Sequence, residues 1–99
     1  YCLDVNNTGA AAAASIVLTD GIPANATYVA GSIRTAATGA GSTCDVGSGT
    51  AEDDDTAGAD ETDPNGGDFN VTTAGAVTVR APSIAAAARF KATFRVTVN

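Results

Sequence analysis

Tyr1-Cys2-Leu3-Asp4-Val5-Asn6-Asn7-Thr8-Gly9, then Ile16-Val17-Leu18-Thr19-Asp20-Gly21-Ile22-Pro23, then Thr27-Tyr28-Val29-Ala30-Gly31-Ser32-Ile33, is the stretch that decides the fold class. Tyr1, Leu3 and Val5 alternate with Cys2, Asp4 and Asn6, the period of a half-buried strand with one face on a core. Asn6-Asn7-Thr8-Gly9 turns the chain. Asp20-Gly21-Ile22-Pro23 ends a second strand, because proline lacks the ladder donor and glycine permits the dihedrals of the turn. Tyr28 to Arg34 is predicted as a third strand. The alanine run Ala10 to Ala14 favours helix by propensity, but five residues are too few for one, so it is expected to be a loop or strand entry.

Working outward, Phe69–Thr73 and Ala76–Arg80 flank Ala74-Gly75 and read as a hairpin, after which Ala81-Pro82-Ser83 is expected to break the chain. The final segment places Phe90, Ala92, Phe94, Val96 and Val98 on one face and Arg89, Lys91, Thr93, Arg95 and Thr97 on the other. Between Thr35 and Asp68 the residues are Gly, Ala, Thr, Ser and acids, with Val46 the one larger apolar side chain, which predicts a long loop or two loops around a short strand. About seven short strands without helical periodicity define an all-β antiparallel sandwich carrying one long acidic loop.

The motifs of the opening stretch resemble the repeat called domain of unknown function eleven, an immunoglobulin-like β-sandwich of bacterial and archaeal surface proteins. They follow its pattern as Tyr1-x-Leu3-x-Val5-x-Asn7-x-Gly9, Asp20-x-Ile22-Pro23, Tyr28-Val29-x-Gly31-Ser32 and a closing Phe94-x-Val96-x-Val98. The resemblance implies an immunoglobulin-like fold and an extracellular or cell-envelope structural role, and it carries no catalytic or ligand residues with it. It also implies that Ala85 to Ala88 form a turn. The pattern begins at residue 1, without the lead-in usual in that family. This shifts the expectation from a passive spacer repeat toward a subunit that meets its neighbours directly through uncovered sheet edge.

With 99 residues the chain is expected to form one domain, spanning 1–99, and to bury roughly 60–65% of its unfolded surface. The apolar fraction of 44% is mostly alanine, with three Phe, two Tyr and no Trp, so large anchors are few and a staple is expected to help. The absence of Met predicts a processed or excised chain. The longest apolar run is too short for a bilayer span, which needs about 20 residues. A net charge of −6 repels phosphate backbones, so no nucleic-acid partner is expected. With no His, neither a Ser-His nor a Cys-His pair can form, and the reading is of a non-enzyme with no small-molecule substrate.

Two cysteines in such a chain predict one disulfide and an extracellular or cell-surface location. Cys2, out of phase with the core residues of its strand, and Cys44 would close a loop of about 40 residues, worth roughly 4 kcal/mol in the chain-entropy account. An intersubunit bridge is the alternative. Asn6, Asn25 and Asn70 head three N-x-Thr triplets and are candidate glycosylation sites.

Eight of the eleven acids fall within 17 residues, Glu52 to Asp68. Calcium takes six to eight hard oxygen ligands, and clustered carboxylates in a glycine-bearing loop suit it. Asp53, Asp54, Asp55, Asp60, Asp63, Asn65 and Asp68 are the candidate calcium ligands, although the spacing is not that of an EF-hand. The competing reading is a solvated charge run that keeps a surface protein soluble. The functional expectation is a calcium-stabilised structural subunit of a secreted filament, fibre or surface assembly that polymerises with itself. The alternatives are an adhesin or matrix-binding module, or a spacer repeat of a larger surface protein.

Overall fold

The alternating segments pair as antiparallel strands in a computed structural model that describes residues 1–38, 44 and 49–99. The strands are β1 (Cys2–Asn6), β2 (Ala13–Gly21), β3 (Ala26–Tyr28), β4 (Arg34–Thr38), β5 (Thr50–Ala51), β6 (Gly66–Phe69), β7 (Ala76–Ile84), β8 (Arg89–Thr93) and β9 (Val96–Val98). One sheet runs β1-β8-β4-β5, a second β2-β7-β6, and β3 pairs with β9 as a short ribbon. The fold is the expected all-β sandwich. Its strand count among the described residues exceeds seven because segments read as continuous are divided.

The closing segment shows why. β8 lies between β1 and β4, with Phe90 opposite Val5 on one side and Ala37 on the other. At Phe94–Arg95 the ladder stops: Phe94 exchanges backbone hydrogen bonds with Tyr1, and the Arg95 amide donates to Ser32 Oγ at 3.0 Å. The chain then resumes as β9 against β3. Phe90, Ala92 and Phe94 are buried as the alternation predicts, whereas Val98 is 73% exposed because its ribbon reaches past the core. Lys91, on the polar phase, is nevertheless buried, since it sits in mid-sheet between Asp4 and Ala36 with its Nζ 4.0 Å from Asp4 Oδ2.

Three further expectations are corrected. Tyr28 to Arg34 is not one strand: β3 ends at Tyr28, the chain turns at Ala30–Gly31, and β4 begins at Arg34. The hairpin strand before β7 is Gly66–Phe69 rather than Phe69–Thr73, with Gly66 paired to Arg80 and Phe69 to Val77, so 70–75 form the turn. Pro82 does not break β7, which continues to Ile84. Beyond Ala81, among the described residues, only β2 pairs with β7, and Pro82 faces Ser15 at the one position of that ladder where no pair forms. A single-sided stretch tolerates a missing donor. The segment from Thr35 to Asp68 likewise holds the body of β4, β5, a 3-10 turn at Ala59–Thr62 and the start of β6, so it is less of a loop than its composition suggests. Ala10–Ala14 leads into β2, and Ala86–Ala87 form the turn before β8, as expected.

The core joins Ile33 to Val77, Val79, Ala81 and Ile84 from β7, with Phe90 and Ala92 from β8 and Phe94 just beyond it. Phe90 is fully buried, and truncating it to alanine would remove about 3–5 kcal/mol. Gly67 lets β6 approach this core: a Cβ there would stand 2.9 Å from Ile33 Cγ2. Asn7 closes the opposite end. Its Nδ2 donates to the carbonyls of Ala11, Ile84 and Ala85, and its Oδ1 accepts from the Gly9 amide.

The disulfide joins Cys2 to Cys44 within the chain, with Cα atoms 5.9 Å apart. It ties Cys44 back to the exposed face of β1.

Candidate functional site

The acidic segment is anchored to both sheets before its charges are arranged. The Glu52 amide donates to the Ile33 carbonyl at 3.0 Å, and the Phe69 amide to the Asp54 carbonyl at 3.1 Å. Asp54 then spends its carboxylate on β3 and the turn after it: Tyr28 donates its hydroxyl to Oδ1 at 2.5 Å and Gly31 its amide to Oδ2 at 2.9 Å. Burial and the Asp54 charge push the Tyr28 phenol up to about 12. The Tyr28 ring stacks on Phe69 at 4.1 Å, so apolar and polar contacts fix the same joint.

Asp68 is spent in the same way. Its carboxylate is fully buried and accepts from the Thr72 amide at 2.9 Å, the Thr72 hydroxyl at 2.7 Å and the Arg80 guanidinium. Burial alone would raise its pKa, but Thr72 and Arg80 outweigh burial and hold the carboxyl below the usual range. Such an acid is a structural anchor, not an available ligand.

Of the seven expected calcium ligands, the fold gathers two. Asp53 and Asp60 meet Glu61, which the sequence reading did not select, with one carboxylate oxygen of each lying within 4.8 Å of the others. Asp55 is exposed and folds back on its own loop, accepting from the Ala57 amide at 2.7 Å. Asp63 is exposed beside the cis bond to Pro64, and Asn65 is buried; neither joins the group.

Around the triad the electrostatics are unfavourable to more charge. Burial raises the Glu61 pKa, Arg80 opposes this from 3.5 Å, and Asp60, Asp53 and Asp68 add to the rise. At Asp53 the Asp55 amide favours the charged form, yet partial desolvation and the neighbouring Asp60 and Asp55 carboxylates prevail and the pKa moves up. Glu52, buried at the edge of the core, is raised by burial, relieved in part by the Thr35 hydroxyl and pressed further by Asp63, Asp60 and Glu61.

Glu52 and Glu61 are the only glutamates in the chain. Their longer arms reach where aspartate does not, and a Cβ on Gly66 would lie 2.5 Å from Glu61 Oε2. The signal available in the sequence was therefore two isolated glutamates in an aspartate-rich run followed by Gly66-Gly67, a pair easily read as a turn.

Away from the acids, a concavity of about 820 Å³ opens where β1, the β3–β4 turn and the β8–β9 link meet, lined by residues that include Tyr1, the Cys2–Cys44 bridge, Arg34, Phe94 and Arg95. Tyr1 and Phe94 stack there at 5.2 Å. The candidate glycosylation residues are exposed: Asn6 at the end of β1 rather than in a turn, Asn25 in the turn before β3, and Asn70 with its Oδ1 accepting from the Gly75 amide at 2.7 Å. Among the described residues no helix is long and apolar enough to cross a membrane. No family model matches the chain, and no curated protein or solved structure matches it either.

Proposed function

We propose that this domain is a non-catalytic structural unit of a secreted extracellular filament, fibre or cell-surface assembly, joined to copies of itself by strand-edge pairing. The observation that carries this reading is β2. It is nine residues long and ends its sheet, so its outer edge is uncovered among the described residues. Edges of that length are ordinarily guarded by lysine or proline; β2 has neither, carries Asp20 as its one charge and exposes Val17 at 57%. Pairing of such edges that does not close on itself yields a filament.

The Cys2–Cys44 bridge supports an oxidising, extracellular setting. The resemblance of Tyr1–Ile33 and Phe94–Val98 to the surface-protein repeat supports the same role. Electron microscopy and sedimentation of the purified protein test the reading: the wild type is expected to polymerise and Val17→Lys to remain monomeric. A wild type that stays monomeric at every concentration sinks it.

The groove favours a second reading, a module that binds an anionic ligand. Arg34 and Arg95 are two of only five basic residues in the chain, and both line it. Titration with an acidic oligosaccharide would separate the two: saturable binding by a permanent monomer, lost in Arg95→Ala, favours the module.

A further inference from the structure

We propose that Asp53, Asp60 and Glu61, backed by Glu52, form a site for one divalent cation of the calcium class. The three carboxylates converge with oxygens within 4.8 Å of one another, a span that one ion with ligand distances of about 2.3–2.6 Å bridges. Each keeps one oxygen against a protein donor and has the other to offer. Asp53 Oδ1 accepts from the Asp55 amide at 2.9 Å, Asp60 Oδ2 from the Asp53 amide at 3.4 Å, and Glu61 Oε2 lies 3.5 Å from Arg80.

Convergence of acids alone says little, since charge runs are commonly solvated. The independent observation lies beneath the surface. Glu52 is 4% exposed, its Oε1 accepts from the Thr35 hydroxyl, and its Oε2 is buried with no donor among the described residues. Glu61 Oε1 is buried and equally unpartnered. Buried carboxylate oxygens normally find donors. Arg80 Nη1, 3.5 Å from Glu61 Oε2, is also buried without a hydrogen-bond partner, so one guanidinium faces four acids and the corner is short of positive charge. Asp63, Asp60 and Glu61 are the charges that bear on Glu52, which lies beside the triad and is not itself one of the three carboxylates that converge.

The donor set selects the ion. All donors are hard oxygens, with no imidazole or thiolate, which excludes the preferences of zinc and copper. Three converging carboxylates with a fourth behind them suit calcium better than magnesium, which keeps its waters and uses one or two carboxylates in strict octahedral geometry. The site differs from the seven-residue set read from the sequence, retaining Asp53 and Asp60 and adding both glutamates.

Chelator-treated protein titrated by calorimetry with calcium chloride, and in parallel with magnesium chloride, tests the proposal. Calcium is expected to fill one site with a Kd of about 10⁻⁴–10⁻³ M, the range of extracellular modules, with magnesium about tenfold weaker or worse. The double variant Asp60→Asn/Glu61→Gln is expected to weaken calcium at least about tenfold, and the control Asp20→Asn to leave it unchanged. Absence of saturable binding below about 10 mM calcium overturns the site, as does unchanged affinity in the double variant. Equal weakening by Asp55→Asn would also overturn it, because the ion would then be a diffuse counter-ion of the whole run. Should the double variant not fold, Glu52→Gln is read instead: loss of affinity supports the site, and wild-type affinity overturns it. Binding is measured per chain, so the result stands or falls separately from polymerisation.

Discussion

Asp68 and Glu52 stand at the two ends of one acidic segment, both withdrawn from water, and their surroundings are opposite. Asp68 is met by two donors from Thr72 and by Arg80, a geometry in which charge stabilises the fold. Glu52 is met by one hydroxyl and three neighbouring acids, and one of its oxygens faces no donor. The same chemical group, buried to a similar degree, thus anchors the fold in one place and strains it in the other. Burial by itself decides neither; the donors brought by the strands do.

The comparison breaks most readily at Asp68. Asp68→Ala leaves Arg80 without its buried partner and frees the turn after β6, and a loss of about 3 kcal/mol is expected in urea unfolding. If the variant is as stable as the wild type, the contrast is wrong at its stronger end. Asp54 is an intermediate case, since its donors come from outside the segment. Tyr28→Phe keeps the stack on Phe69 but removes the hydroxyl, with an expected loss of about 1.5 kcal/mol.

Glu52→Gln should move the other way. It removes a carboxyl from a site where burial and three acids oppose its charge while retaining an acceptor for Thr35, so calcium-free protein is expected to gain about 1 kcal/mol at pH 7. Destabilisation of the calcium-free protein would show that the Glu52 carboxylate stabilises the fold as Asp68 does.

The smallest effect is in the pH dependence, where the two acids carry opposite signs. Glu52 and Glu61 have raised pKa values in the folded state, so the folded chain binds protons first as pH falls from 7, and stability rises slightly with falling pH until the unfolded chain also protonates near pH 4.5. Asp68 has a lowered pKa, so its contribution is full above about pH 4 and is lost as pH falls through its folded value. Calcium-free protein should therefore show a shallow stability maximum on the acidic side of neutral. Glu52→Gln should flatten the rise, and Asp68→Asn should remove most of the fall below about pH 4. A profile that declines steadily from pH 7 contradicts the assignment for Glu52.

Much of the fold was legible because alternation is a local property. Leu3 and Val5, then Phe90, Ala92 and Phe94, announce their faces by period alone, and the Asp20-Gly21-Ile22-Pro23 stop falls where β2 ends. The misreadings share a cause. Pro82 inside β7, Gly66-Gly67 inside β6 and the break at Phe94–Arg95 each depend on which neighbouring strand is present, and local pattern does not report neighbours. The candidate site was legible only as a region. Charge density marked Glu52 to Asp68, but sorting Asp54 and Asp68 from Asp53, Asp60 and Glu61 required knowing that Tyr28, Gly31, Thr72 and Arg80 arrive at the first two.

An antiparallel β-sandwich, two cysteines expected to be oxidised and an acidic segment without histidine chemistry could be read from the chain alone, because strand period, composition and residue inventory are written along it. Strand packing sorts the acids consumed as anchors from those that converge with an oxygen to spare, and it closes the Cys2–Cys44 bridge within one chain. Hydrogen-bond satisfaction is set between strands distant in sequence: Arg80 reaches Asp68 from β7, while no strand among the described residues brings a donor to Glu52 Oε2.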